Sequence, residues 1–179
     1  MQAGLDGETD AEAVRRLAGV PPSRTLPEVW ALKTPASPHL AAERDGVAIN
    51  PEALRLPTIA KPLIIEGAGG LLVPLTRQLL FIDVFAWWRL PVLLCARTSL
   101  GTLNHTLLSL EALERRGIPV LGVVFVGDAH ADNERTVGAM GGAPILGRLP
   151  HLNPLTPETL KVAFTATFRR ELFVSDDTP

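Results

Sequence analysis

Short apolar runs alternate with longer amphipathic stretches along this chain. Residues 63–65, 92–95 and 120–126 are brief and dominated by Val, Ile and Leu, and a shorter apolar pair follows at residues 145–146. Apolar runs of this length predict strands that are buried on both faces of a sheet.

Helical patterns fill the segments between these runs. Good helix formers with polar faces predict helices over residues 10–18, 40–44, 79–88, 103–116, 132–140 and 157–168, and another helix is expected to begin near Asn50. Pro38 suits the first turn of the second helix, and Gly117 suits the end of the helix at residues 103–116. Strands separated by helices predict an α/β fold, a mostly parallel sheet with helices on both faces.

Composition restricts the class of protein. A chain of 179 residues with 46% hydrophobic and 20% charged residues predicts one globular domain over residues 1–179, with a flexible tail at residues 170–179. The net charge of −2 argues against a nucleic-acid partner, and no apolar run approaches the length of a membrane span. The lone Cys95 cannot form an internal disulfide, and the acidic, polar start is unlike a signal peptide, so we expect a cytoplasmic protein.

Glu66 occupies a position in the sequence that suits a metal ligand. The apolar run at residues 63–65 leads directly to Glu66, which opens the glycine turn Gly67-Ala68-Gly69-Gly70. An acid at the end of a buried strand, followed by small residues, is how an α/β sheet presents a metal ligand beside phosphates. From the residues alone, a capping role for Glu66 is an equally good interpretation. The Gly-rich lysine loop that normally accompanies such a site, G-x-x-x-x-G-K-[ST], does not occur in the sequence.

Five stretches, taken in order, resemble the dethiobiotin synthetase family of biotin biosynthesis. They are residues 3–11 (AGLDGETDA), Ser37-Pro38-His39, residues 66–75 (EGAGGLLVPL), residues 97–106 (RTSLGTLNHT) and Gly147-Arg148-Leu149-Pro150. Because the matches run in order from residue 1 to about residue 160, the chain is identified as a member of that family.

The resemblance implies a P-loop NTPase-like fold that is missing its first βαβ segment. The family begins with a strand, a Gly-rich lysine loop, a helix and a second strand that ends in Lys-Pro, whereas Met1 matches a position near the end of that second strand. Roughly 40 residues would then be absent, judged from the usual size of such a start. We therefore expect the lysine loop to lie upstream of Met1, and we expect the isolated chain to be poorly stable or oligomeric and to hydrolyse no ATP.

The resemblance also implies an activity and a set of site residues. The resemblance implies an ATP-dependent cyclo-ligase that converts 7,8-diaminopelargonate, CO2 and ATP to dethiobiotin, ADP and phosphate. It also implies that the chain forms a homodimer. By resemblance, Asp10 and Glu66 hold Mg²⁺, and Thr102 and Asn104 bind the substrate. The residues expected to bind ATP are Glu66, Gly67, Ala68, Gly69, Pro150, His151 and Leu152. No catalytic residue is assigned, because Lys33, Lys61 and Lys161 lie outside the family's lysine motifs.

Several alternatives remain open. Asp10 also suits a dipole interaction at a helix start, and a local packing role suits His39 better than a chemical one. The family often contacts adenine through an asparagine where this chain has Val126, Gly127 and Asp128. The polar residues Asp128, His130, Asp132 and Asn133 fit a solvated loop better than a metal site. Two other interpretations of the chain are that it is a non-catalytic paralogue that binds substrate or forms dimers, or that it is a relative of the amidoligases that make cobyrinate diamide.

Overall fold

The chain forms two compact units, Met1–Arg89 and Leu90–Pro179, in a computed structural model. The structure describes residues 1–4, 7–59 and 62–173. The single domain over residues 1–179 stays a prediction.

The first unit is built on a short parallel sheet. Strand β1 (Gln2–Ala3) pairs with β2 (Ala31–Leu32), with Gln2 opposite Ala31. Helix α1 (Asp10–Ala18) and a 3-10 turn (Pro22–Arg24) connect these strands. Helix α2 (Pro38–Asp45), a 3-10 turn (Pro51–Ala53) and helix α3 (Phe81–Trp88) follow.

Helix α1 begins and ends at local signals. The Thr9 hydroxyl oxygen accepts a hydrogen bond from the Glu12 N–H, and the Glu12 carboxylate accepts one from the Thr9 N–H at 2.8 Å. Gly19 ends the helix in the left-handed region, with φ of 63°. This reciprocal cap and terminal glycine explain why the prediction of a helix over residues 10–18 is confirmed.

The second unit alternates strands and helices. Its sheet is parallel, in the order β3 (Val92–Arg97), β4 (Val120–Val126) and β5 (Ile145–Leu149). The helices α4 (Thr102–Glu114), α5 (Ala131–Gly141) and α6 (Pro157–Thr167) belong to this unit.

Successive residues of β4 support opposite faces of this sheet. Val123 and Phe125 are buried against Leu110 of α4 and Val137 of α5. Val124, on the other face, belongs to a cluster with Phe168, which follows α6. Because side chains alternate along a strand, both faces are apolar and both are covered by helical segments. The predicted α/β class, parallel strands flanked by helices, is confirmed.

The strand predicted at residues 63–65 is wrong. These residues form no strand, and the side chain of Ile64 is 94% exposed. A strand exists only when a neighbouring strand takes up its backbone hydrogen bonds, and within the described part of the chain none pairs with these residues. The helix expected near Asn50 is likewise only the single 3-10 turn Pro51–Ala53.

The segment predicted as a tail begins with regular structure. Arg170–Leu172 forms a 3-10 turn. The centroid of the Phe173 ring lies 5.7 Å from that of Phe164 and 5.8 Å from that of Phe168. Residues 174–179 lie outside the described residues, so the flexible tail stays a prediction. Among the described residues, no helix combines the length and hydrophobicity required to cross a lipid bilayer.

Candidate functional site

The glycine turn after Glu66 is anchored to the start of helix α3. The Phe81 N–H donates to the Val73 carbonyl oxygen at 3.1 Å, and the Ile82 N–H donates to the Leu71 carbonyl oxygen at 2.9 Å. The first N–H groups of a helix have no partner within the helix, so these bonds satisfy α3 and hold the loop together. The turn is therefore fixed by its downstream neighbours.

Two glycines of this turn are required by contacts within the chain. A Cβ added at Gly67 would lie 2.7 Å from Cζ of Phe85, closer than real Cβ atoms approach. Gly69 has φ of +82°, and a Cβ there would lie 3.0 Å from Cγ2 of Val73. Ala68 packs against the buried cluster that contains Leu75. Tight packing thus demands small residues here, whether or not a ligand also approaches the turn.

Asp10 and Glu66 are two of three acids that affect the pKa of the Met1 α-ammonium group. Burial lowers the pKa of the Met1 α-ammonium group. The carboxylates of Glu28, Asp10 and Glu66 act in the opposite direction on this pKa. Asp10 and Glu66 are both exposed and belong to different segments of the first unit. This is the donor chemistry that Mg²⁺ requires, since that ion uses one or two carboxylates and keeps several waters.

Larger metal clusters are not part of this arrangement. Within residues 1–4, 7–59 and 62–173, no group of three or more His, Cys, Asp or Glu side chains is placed to hold a metal ion. The polar residues at the start of α5 make local contacts, because Asp132 pairs with Arg135 and Nδ1 of His130 accepts from the Asn133 N–H at 3.3 Å. Asp128 and His130 precede α5, whereas Asp132 and Asn133 lie in its first turn, so the interpretation as a loop is wrong for these last two residues.

The predicted substrate residues lie at the start of α4, in the second unit. Thr102 is only 2% exposed, and its hydroxyl oxygen lies 3.2 Å from that of Thr106. The Thr102 N–H donates to the carbonyl oxygen of Ser99. Asn104 is exposed, two positions further along the helix. Asn104 is therefore free to contact a ligand through its side chain, whereas the Thr102 hydroxyl is engaged inside the unit.

The carboxyl ends of β3, β4 and β5 form a continuous edge. The Thr98 N–H donates to the Val126 carbonyl oxygen at 3.2 Å, and the Gly127 N–H donates to the Leu149 carbonyl oxygen at 2.9 Å. Gly127 has φ of +128°, and a Cβ there would overlap the Thr98 hydroxyl and approach Nε2 of His151 to 3.4 Å. Only glycine fits at Gly127, so this position cannot carry the side chain that the family often uses for adenine.

The loop after β5 begins at this edge. Pro150 and Leu152 are half-buried, and His151 is exposed. Ligands of open α/β sheets bind outside the carboxyl ends of the strands, and these predicted nucleotide residues are in such a place. Sequence reasoning missed Arg148, whose guanidinium donates to the Gly127 carbonyl oxygen at 2.7 Å. The signal was present, because Arg148 is the one charged residue in the Gly147–Pro150 motif.

Comparison with known proteins gives one consistent result. Residues 1–159 match a family model described as an AAA domain. The chain is 60% identical over 176 residues to an ATP-dependent dethiobiotin synthetase from Rhodopseudomonas palustris. The aligned residues cover 98% of the chain and 83% of that protein. Proteins of the same name from Brucella ovis and Nitrobacter hamburgensis are 56% and 55% identical, each over 97% of the chain and 82% of the relative.

Proposed function

Because this chain belongs to the dethiobiotin synthetase family of ATP-dependent ligases, we propose that it serves the ring closure of 7,8-diaminopelargonate with CO2 in biotin biosynthesis. One amine of the substrate takes up CO2 as a carbamate, and ATP phosphorylates the carbamate to a mixed anhydride. The second amine then attacks the anhydride carbon, closes the ureido ring and releases phosphate. The observation that carries this proposal is 60% identity to a dethiobiotin synthetase over 98% of the chain.

Asp10 and Glu66 are the residues that would hold the metal. Mg²⁺ held by these carboxylates would supply the positive charge that offsets the negative charge developing on ATP during phosphoryl transfer. The chain contributes two exposed carboxylates, and Glu66 opens a turn that α3 holds in place. Gly67, Ala68 and Gly69 are assigned to ATP because their main chain carries no bulky side chains.

The start of α4 suits the carboxylate end of the substrate. Free N–H groups at a helix N-terminus favour a negative charge, and the exposed Asn104 adds an amide donor. Thr102 supports this site by fixing the first turn of the helix through its contact with Thr106. The base of ATP is assigned to the loop Pro150-His151-Leu152, where main-chain groups are available to it.

The assembly proposed for this chain is a cytoplasmic homodimer, with residues 100–104 near the subunit contact. The Leu100 side chain supports this, because it is fully exposed beside the proposed substrate site. A second copy that covers Leu100 would bury this apolar side chain, which is energetically favourable. Replacing Leu100 with Asp should shift the sedimentation coefficient to that of a monomer, and an unchanged sedimentation profile would contradict this assignment.

A fusion experiment tests the activity. The sequence holds no Gly-rich lysine loop, so the 179-residue chain is assayed alone and fused to the lysine-loop segment of a family member. Isotope-labelled bicarbonate, 7,8-diaminopelargonate and ATP are supplied, and labelled dethiobiotin is detected by mass spectrometry. We expect product from the fusion and none from the chain alone or from a fusion that carries Glu66→Gln.

The outcomes separate the candidate functions. A folded fusion that binds 7,8-diaminopelargonate but forms no dethiobiotin would overturn the enzymatic proposal and favour a substrate-binding module. Product that persists after Glu66→Gln would overturn the role of Glu66 while leaving the reaction in place. Glu111→Gln, which alters an exposed carboxylate of α4, is the matched control.

A further inference from the structure

Arg148 ties the end of β5 to β4 and to α5. Its Nη1 donates to the Gly127 carbonyl oxygen at 2.7 Å, and its Nε lies 3.6 Å from Oε1 of Glu134. Both charged side chains are about three-quarters shielded from solvent, with exposed fractions of 26% and 28%. A guanidinium is suited to this position because its planar fork donates in two directions at once.

A second contact closes the network from the other side. The Asn133 side-chain amide donates to the Thr98 carbonyl oxygen at 3.2 Å, which joins α5 to the end of β3. Asn133 and Glu134 are neighbours on α5, so one turn of this helix is joined to the ends of β3 and β5. The network therefore holds the three strand ends at fixed positions, with Gly127 in the middle.

Gly127 makes this edge sensitive to small movements. Its positive φ and the close approach of Thr98 leave no room for a side chain at Gly127, so Gly127 itself contributes only main-chain atoms to this edge. Main-chain donors and acceptors distinguish one base from another only while the backbone stays in place. Arg148 precedes Leu149 and the loop Pro150-His151-Leu152, and its side chain holds Gly127 against that segment.

We propose that Arg148 is a positioning residue for base selection, and that with Glu134 it holds the main chain at Gly127 and Pro150–Leu152 for an adenine nucleotide. Arg148 acts through these main-chain groups and does not itself contact the base. The inference rests on the proposed function, which assigns the base of ATP to this loop. It goes further by naming the residue pair that makes the loop selective.

The test compares the affinities of two nucleotides for each variant. ATP and GTP stack equally well but present different hydrogen-bonding edges, so the ratio of their dissociation constants reports on base selection. Ligand-observed NMR measures this ratio on the 179-residue chain, because the method detects weak binding. Arg148→Met removes both contacts at nearly constant size, and Arg148→Lys keeps the charge without the fork. We expect the preference for ATP over GTP to fall about tenfold in Arg148→Met and about threefold in Arg148→Lys.

The control is Arg135→Met. Arg135 lies on the same helix, is exposed and pairs only locally with Asp132, so the ratio should not change. If Arg148→Met weakens ATP and GTP by the same factor, Arg148 has only a structural role and the inference is wrong. If the unmodified chain binds neither nucleotide, the assignment of ATP to this loop fails, and the inference fails with it. Partial unfolding does not imitate the expected result, because it cancels in the ratio.

Discussion

Gly67 and Phe85 are in direct contact, since a Cβ added to the glycine would lie 2.7 Å from Cζ of the ring. Gly67→Ala should therefore force the ring or the turn to move and destabilise the protein by about 1–3 kcal/mol, the usual cost of overpacking. Urea unfolding measures the change. Gly70→Ala is the matched control, because nothing lies within 4 Å of a Cβ at that position.

A second substitution shows whether the ring is the cause. Phe85→Leu in the Gly67→Ala background removes the ring edge, so the double variant should recover part of the lost stability. Coupling of this kind is expected only between residues in contact. Strict additivity of the two changes would show that the cost of Gly67→Ala arises elsewhere.

Metal binding should depend on both Asp10 and Glu66. Mn²⁺ can replace Mg²⁺ and is observed directly by electron paramagnetic resonance, which measures free ion in a titration of the chain. Asp10→Asn and Glu66→Gln each remove one charge from a two-carboxylate site, and each should weaken Mn²⁺ binding by at least about tenfold. Glu111→Gln should leave the titration unchanged. A site that survives both substitutions would contradict the assignment.

The carboxylate of Asp45 should make stability depend on pH. It accepts from the Thr34 hydroxyl at 2.6 Å and from the Lys33 N–H at 2.6 Å, which ties the end of α2 to the segment after β2. The Thr34 hydroxyl is the main cause that lowers the pKa of Asp45, and the backbone N–H groups add to it. A lowered pKa in the folded state gives stability that is complete above the unfolded pKa of about 4 and is lost as pH falls through the folded pKa.

The corresponding measurement is a comparison with Asp45→Asn. The unmodified chain should be more stable than the variant by a constant amount from about pH 7 to about pH 5, and the difference should close below about pH 4. Urea unfolding at several pH values gives these free energies. A difference that persists undiminished at about pH 2.5 would show that the bonds do not depend on the charged form.

The buried pair Thr102 and Thr106 separates a structural role from a substrate role. Thr106→Val leaves the Thr102 hydroxyl buried without this partner, which should cost about 1–3 kcal/mol. Replacing both residues with Val removes both polar groups and should be nearly neutral. Isothermal titration with 7,8-diaminopelargonate then tests function, because the double variant should retain binding and Asn104→Ala should lose it. Loss of binding in the double variant would assign the Thr102 hydroxyl to the substrate.

Local signals account for the elements that were predicted correctly. Thr9, Glu12 and Gly19 specify α1 within a dozen residues of one another, and the apolar run at residues 120–126 was long enough to identify β4. The run at residues 63–65 looked equally apolar, but a strand also needs a partner, and no local pattern reveals whether one is present. The same limit explains why β2, only two residues long, was missed.

The sequence by itself determined the family, the α/β class and the names of the candidate site residues, because ordered motifs and short apolar runs are local properties of a chain. Only the tertiary structure decided what those residues touch. It placed Phe85 against Gly67, turned the Thr102 hydroxyl toward Thr106 and brought Arg148 to the carbonyl oxygen of Gly127. Two of these contacts join residues 18 and 21 positions apart, and such distant pairs become neighbours only when helices and strands pack. The structure thus replaced one reason for the glycine turn, access for a ligand, with two, because the turn must also accommodate the ring of Phe85.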